Sequence, residues 1–265
     1  MIRAAIPMKR RLDQYLVDEG LSESREKAKR SIIAGQVLVN GHKALKASDQ
    51  AKDSDRIEVV APEKYVSRGG HKLEQALDHF NLNVEGLLAA DLGASTGGFT
   101  DCLLQRGVEK IYAVDVGKGQ LAWSLRQDPR VIVMEQINAR HLLPSHMPPP
   151  FNGVDIVVID CSFISLTKIL PAAVLLTVPA GKIVALIKPQ FEAGKSAVDK
   201  GKGVIRDPMI HQSVIERLQQ FVSEDLHLNW LGVTESPILG PAGNKEFLCL
   251  IETSHAPDQT NRPNC

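Results

Sequence analysis

The stretch Asp91-Leu92-Gly93-Ala94-Ser95-Thr96-Gly97-Gly98-Phe99 follows the apolar run Leu87-Leu88-Ala89-Ala90 and leads into a helix-like segment. Gly93 and Gly97 can take backbone angles closed to other residues, so a strand-to-helix turn built from them brings helix amides against a small ligand. A second apolar run ends in Asp115 roughly twenty residues on, the position that binds ribose hydroxyls in Rossmann-type sheets. The dinucleotide pattern G-x-G-x-x-G is absent, because Ser95 stands where its second glycine belongs and Asp91 opens the turn. Asp-x-Gly-x-x-x-Gly followed by a second-strand acid is instead the pattern of S-adenosylmethionine sites. The competing reading is a purely structural glycine turn.

These residues need a sheet to hold them. Apolar runs at 88–91, 111–115, 131–134, 156–160, 183–187, 228–234 and 247–252 alternate with helix-like segments, including one over 71–80. Near-continuous apolar strands separated by helices predict a mostly parallel sheet covered on both faces, with the last two strands as an antiparallel hairpin. Ligands in such sheets gather at the carboxyl ends of the strands. Asp91, Asp115, Asn138 (a few residues past its strand), Asp160 and Lys188 occupy those ends. A single acid there is often a helix cap; three acids, an amide and a lysine at successive ends point to a site.

The chain has 265 residues and no net charge, but its first 46 residues carry ten lysines and arginines against five acids. A local basic segment on a neutral chain suggests a patch for a polyanion. Residues 11–17 place apolar side chains one helical turn apart, with Gly20 closing the helix. Ser22 or Ser24 can cap a second helix that turns Arg25, Lys27, Lys29 and Arg30 outward. Asn40-Gly41 after Val37-Leu38-Val39 signals a hairpin. Cys102, Cys161, Cys249 and Cys265 are scattered, and no secretory leader precedes them, which fits a reducing cytoplasm and neither zinc nor disulfides. The histidines show no metal spacing, so no metal is expected. The longest apolar stretch, 169–178, contains Pro171 and falls short of the ~18 residues a spanning helix needs.

The run Arg11-Leu12-Asp13…Leu16, Ser24-Arg25…Ala28…Ile32…Gly35-Gln36-Val37…Val39-Asn40-Gly41 resembles the small RNA-binding domain named after the fourth protein of the small ribosomal subunit. That resemblance implies RNA contacts from Arg11, Arg25, Lys29, Arg30, Asn40 and Lys43, mainly to phosphates. Farther on, Ser67-Arg68-Gly69-Gly70-His71-Lys72 precedes the sheet and Gly240 to Phe247 leads into its last strand. Lys72, Asp160, Lys188 and Glu246 together resemble the Lys-Asp-Lys-Glu tetrad of FtsJ-type ribose 2′-O-methyltransferases. With Asp160-Cys161-Ser162-Phe163 and Lys188-Pro189-Gln190-Phe191-Glu192, nearly the whole chain resembles the TlyA family of rRNA 2′-O-methyltransferases, also known as haemolysins.

The resemblance implies a class I methyltransferase fold, Rossmann-like with a seven-stranded sheet, joined to a small α+β RNA-binding domain. The expected organisation is an RNA-binding domain at 8–61, a linker at 62–70, a methyltransferase domain at 71–253 and a disordered tail at 254–265. S-adenosylmethionine is the implied cofactor, bound at Asp91, Gly93, Ser95, Gly97, Asp115, Asn138 and Phe163, with Gly93 and Ser95 at its methionine end, Asp115 at the ribose, and Asn138 and Phe163 at the adenine. Ser95-Thr96 departs from the Ala-Pro pair of the simpler FtsJ enzymes. The implied partner is ribosomal RNA or a ribosomal subunit, with Arg68 a further RNA contact.

The tetrad makes chemical sense. A ribose 2′-hydroxyl must lose its proton as it attacks a sulfonium methyl, and a neutral amine can accept it, which makes Lys188 the expected base. Asp160 and Glu246 then orient the lysines. Gly194-Lys195-Ser196 imitates the end of a phosphate-binding loop, but Pro189 stands where its first glycine is required. The basic stretch 195–206 is expected to be a mobile loop over RNA, and Trp123 and Trp230 are expected in the core. Two other functions stay open: a membrane-active cytolysin, and a ribosome-binding factor without turnover.

Overall fold

The computed structural model describes residues 9–60, 63–194, 201 and 203–254, and its chain divides into two units, Met1–Lys64 and Tyr65–Cys265. Pro62, the stretch 195–200 with its Lys195-Ser196, Lys202 and the expected tail from 255 onward lie outside the described residues.

In the first unit β1 (Arg10–Arg11) runs into α1 (Leu12–Asp18), and Gly20, at φ +70°, turns the chain toward α2 (Arg25–Ile33). Ser24 caps α2 by accepting from the Lys27 amide at 3.2 Å. Strands β2 (Val37–Val39) and β3 (His42–Lys43) form a hairpin whose corner residues Asn40 and Gly41 have φ of 52° and 81°. Both angles are positive, as a two-residue turn matched to the strand twist requires. Strand β4 (Gln50–Ala51) pairs with β1, and β5 (Ile57–Val59) pairs with β2. Leu12, Leu16, Ala28, Ile32 and Val37 fill the core between the helices and strands. Each large member contributes roughly 1.5–3 kcal/mol by leaving water.

The second unit begins with α3 (Gly69–His79) and continues through β6 (Leu88–Leu92), α4 (Gly98–Gln105), β7 (Lys110–Asp115), α5 (Trp123–Arg126) and β8 (Val131–Glu135). Then come β9 (Val154–Ile159), α6 (Leu166–Leu176), β10 (Thr177–Ile187), α7 (Pro189–Glu192), α8 (Pro208–Gln220), β11 (Asn229–Glu235) and β12 (Phe247–Glu252). The sheet runs β11-β12-β10-β9-β6-β7-β8; only the pairings of β12 with β10 and β11 are antiparallel. This is the mostly parallel sheet with a terminal antiparallel hairpin expected from the alternating apolar runs, and the class I methyltransferase arrangement that the resemblance implies. From β6 the chain proceeds outward to β8, then returns to β9 on the other side of β6. The order therefore reverses between β6 and β9, where open α/β sheets bind ligands.

Strand alternation sorts side chains onto two faces. Ala90 and Leu92 join the core beneath α6 and α8, with Ile169, Leu170 and Leu218. Ala89, with Ile111 and Val158, joins the core beneath α3 and α4, with Leu73 and Leu103. No helix among the described residues is long and apolar enough to cross a membrane.

Two local expectations differ from the structure. Tyr65–Gly70, expected as linker, packs within the second unit. Tyr65 is buried, and a β-carbon on Gly70 would sit 2.2 Å from its ring, so the glycine is what lets the ring in. Trp123 is 73% exposed: α5 is only four residues long and turns Leu125 inward, leaving its first residue outside. Trp230 is half-buried against the α6 and α8 core.

Candidate active site

Two cavities open where the sheet order reverses, and the same four residues, Gly93, Ser95, Asp160 and Ser162, line both. Gly93 leaves β6 at φ +90°, and a β-carbon there would lie 2.8 Å from the Asp160 carbonyl oxygen. The turn can therefore approach the β9 end only without a side chain. Ser95 also takes a positive φ, 49°, and Gly97, at φ +100°, begins α4 with Leu121 and Leu125 packed where its β-carbon would be.

The larger cavity, about 470 Å³, is lined by Asp115, Val116, Ile137, Asn138, Phe163 and Ile164 besides the shared residues. Asp115 accepts the Ser95 amide at 2.8 Å and the Gly117 amide at 2.6 Å, which fixes its carboxylate at the rim. Asn138 lines the cavity, but its carbonyl oxygen caps a short helical turn by accepting the Arg140 amide at 3.0 Å. Phe163 is 90% exposed at φ +64°, its ring 5.0 Å from that of Phe191. An acid at a strand end between apolar walls, beside a turn left bare at Gly93, suits a nucleoside with a free ribose diol. The residues present fit the cofactor that the turn's spacing suggests.

The smaller cavity, about 280 Å³, brings the four expected reactive residues together: Lys72 from the first turn of α3, Asp160 after β9, Lys188 after β10 and Glu246 before β12. They form two ion pairs. Lys72 Nζ lies 2.5 Å from Glu246 Oε2, both nearly inaccessible. Lys188 Nζ lies 2.5 Å from Asp160 Oδ1 and donates to the Ser162 hydroxyl at 2.8 Å. Glu246 Oε1 is buried without a hydrogen bond among the described residues, and Gly240 is bare where a β-carbon would come within 2.4 Å of that oxygen. Arg68 lines the same cavity.

Asp91 lines neither cavity. The alternation that sends Ala90 and Leu92 to one face sends Asp91 to the other, where its carboxylate accepts the Thr100 hydroxyl at 2.7 Å. Burial, reinforced by the charge of Asp160, pushes its carboxyl up to about 7. Burial likewise raises the Cys161 thiol to about 12, leaving it a poor nucleophile.

Sequence reasoning passed over Glu135, which accepts the Gly119 and Gln120 amides and pairs with Arg126, so placing Gln120 at the larger cavity. The Gly119 amide, foremost, and Arg126 hold its carboxyl below the usual range. It also gave no role to Ser162, whose only signal was adjacency to Asp160.

In the first unit, two of the expected RNA contacts serve a buried acid. Asp13 is inaccessible and takes Arg11 at 3.1 Å and Arg25 at 3.1 Å, chiefly Arg11 lowering its carboxyl pKa. Both guanidinium side chains remain about half exposed, at 46% and 49%. Asn40 bonds Asp55 and the Arg56 amide, bracing the hairpin. Arg30 is loosely paired with Glu26 at 3.9 Å, while Lys29 and Lys43 are exposed with no ion pair among the described residues.

Comparison with known proteins agrees with this architecture. Residues 65–252 match the FtsJ-like methyltransferase model and residues 10–57 the S4 domain model. The chain is 44% identical over 247 residues to the 16S/23S rRNA (cytidine-2'-O)-methyltransferase TlyA of Mycobacterium tuberculosis, covering 92% of this chain and 90% of that protein. It is 44% identical over 238 residues to hemolysin A of Brachyspira hyodysenteriae, covering 90% and 98%. A solved structure from Streptococcus thermophilus, described as a candidate hemolysin, superposes with a TM-score of 0.71 at 44% identity over 96% of this chain and 91% of that one. The chain therefore belongs to the FtsJ-like methyltransferases, in the TlyA and hemolysin A branch that carries an amino-terminal S4 domain.

Proposed function

We propose that this enzyme is an S-adenosylmethionine-dependent ribose 2′-O-methyltransferase acting on ribosomal RNA, with Lys188 as general base. The observation that carries the proposal is the pair of cavities sharing Gly93, Ser95, Asp160 and Ser162, one suited to a nucleoside and the other lined by both lysine–carboxylate pairs. The TlyA relative's named substrate, cytidine in rRNA, and the S4 domain support the choice of RNA. When bound, the cofactor supplies a methyl group made electrophilic by its sulfonium.

Gly93 and Ser95 admit the cofactor's methionine end, Asp115 accepts from its ribose hydroxyls, and Ile137, Asn138, Phe163 and Ile164 enclose its base. Lys188, as free amine, takes the proton of the acceptor 2′-hydroxyl. Ser162 and Asp160 aim its Nζ, and the ammonium that forms finds Asp160 Oδ1 at 2.5 Å. Stabilising the cation produced by proton transfer is worth more here than in water, because Lys188 is buried and Asp160 is only partly exposed. Lys72, neutralised by Glu246, holds the acceptor nucleotide against the turn, and Arg68 meets its phosphate. Lys29, Arg30 and Lys43 contribute backbone contacts to the rRNA, joined by the exposed parts of Arg11 and Arg25.

The test is methyl incorporation into isolated ribosomal subunits, with the product mapped as a 2′-O-methylnucleoside. Wild type should methylate and Lys188→Ala should not. Equal incorporation by both would remove Lys188 from the mechanism, and absence of incorporation by wild type into either subunit would remove the substrate.

A further inference from the structure

Glu192 lines neither cavity, yet its carboxylate is nearly buried and has no cation partner among the described residues. It accepts the Ser165 hydroxyl at 2.6 Å through Oε2 and the Leu166 amide at 2.7 Å through Oε1. A remote acid at a helix start could simply be a cap. Helix α6 already has one, however: Ser165 accepts the Thr167 amide at 3.2 Å. Glu192 takes a different amide, that of Leu166, and does more than cap it: the same carboxylate accepts the hydroxyl of Ser165, the last residue of the preceding loop, from the segment that follows β10.

What the extra carboxylate does is join two segments. The loop 160–165 carries Asp160, Ser162 and Phe163, and its entry is fixed by the Asp160 amide donating to Leu92 O at 3.0 Å. Its exit is where Glu192 binds. Glu192 itself closes the single turn α7 that begins immediately after Lys188, and its backbone carbonyl accepts the guanidinium of Arg217 from α8. The Phe163 and Phe191 rings meet between the two anchor points. The Lys188–Asp160 pair is thus held between one tie at the loop entry and another at its exit.

We infer that Glu192 is a positioning residue for the proposed methyl transfer: it locks the exit of the 160–165 loop to the turn bearing Lys188 and so keeps Lys188, Asp160 and Ser162 in register. This inference rests on the function proposed above. An error of about 1 Å in reacting groups can lower a rate on the order of 10²-fold, the scale set for the variants here. In Glu192→Gln the volume stays and the amide oxygen can still accept the Leu166 amide, but the amide nitrogen can only donate to the Ser165 hydroxyl, so that tie is reversed and both ties lose the carboxylate's charge and are weakened.

The experiment compares wild type, Glu192→Gln, Ser165→Ala and the double variant by single-turnover methyl transfer, cofactor affinity, thermal melting and amide hydrogen exchange. Glu192→Gln should lower the transfer rate roughly 10- to 100-fold with cofactor affinity changed less than about threefold. Amide exchange in the unliganded protein should quicken at 160–166 and not across the sheet. Ser165→Ala should give a smaller loss, and the double variant should fall short of the product of the two, because both act through one link. A folded Glu192→Gln with the wild-type rate and unaltered exchange at 160–166 overturns the inference, as does a rate loss matched by exchange that quickens uniformly. If Glu192→Gln fails to fold, Ser165→Ala decides by the same readouts. If wild type does not methylate RNA, the proposed function fails, and the exchange pattern alone still decides whether Glu192 ties the loop.

Discussion

Both units bury acids against cations, but they choose different cations. In the first unit Asp13 is inaccessible and holds two arginines whose side chains stay about half exposed. In the second, Glu246 and Asp160 hold lysines that are themselves nearly inaccessible, and both pairs line a cavity. An arginine keeps its proton under all ordinary conditions, whereas a lysine can give one up and take one back. The arginine clamp can brace a fold and present charge; only the lysine pairs can also take part in proton transfer.

The sharpest way to break this contrast is to exchange the cations. Lys188→Arg keeps the charge but not a usable free base, and should lower methyl transfer by about 10²–10⁴-fold with cofactor affinity retained. Arg25→Lys should leave the first unit folded. Substantial activity in Lys188→Arg would show that charge alone suffices and erase the distinction.

A buried acid with no cation partner among the described residues supplies the third case. Asp91 is raised to about 7, so the stability it contributes is complete below its unfolded value near 4 and is lost as pH climbs from there to about 7. Over that window the loss amounts to up to about 4 kcal/mol. Asp91→Asn keeps an acceptor for Thr100 and should melt at a temperature that falls less than wild type across the same range; parallel curves would contradict it.

Asp13 has the opposite sign. Its pKa is lowered by Arg11 and Arg25, so its contribution is present above the unfolded value and is lost as pH falls through the lower folded one. Asp13→Asn should destabilise the first unit by about 1–3 kcal/mol at neutral pH, measured by denaturant melting, and by less in acid. The smallest effect belongs to the free surface cations. Lys43→Ala should weaken RNA binding modestly and reduce the salt dependence by about one phosphate contact, with the methyl-transfer rate on saturating RNA unchanged.

Much of the second unit was legible because its strands are apolar runs with polar ends, and the four residues proposed as reactive lie at those ends or at segment junctions. Asp91 was harder: the strand continues through Leu92, one residue past the apparent end, and that residue decides which face the acid takes. Trp123 misled because aromatic content suggests core, while the length of α5 decides burial. Glu192 offered no local pattern, since its partners lie 26 and 27 residues away in sequence. In the first unit the basic residues were visible, but their division between bracing Asp13 and facing solvent depends on contacts that spacing does not encode.

The contact between Gly93 and the Asp160 backbone makes the two cavities, proposed to hold cofactor and acceptor, two rooms with one party wall. Neither can be enlarged alone at that wall. A larger residue at position 93 would push on the segment that carries Asp160 and Ser162, so altered cofactor analogues would be accommodated more readily by remodelling the far side, around Val116 and Phe163, than by trimming or filling the turn.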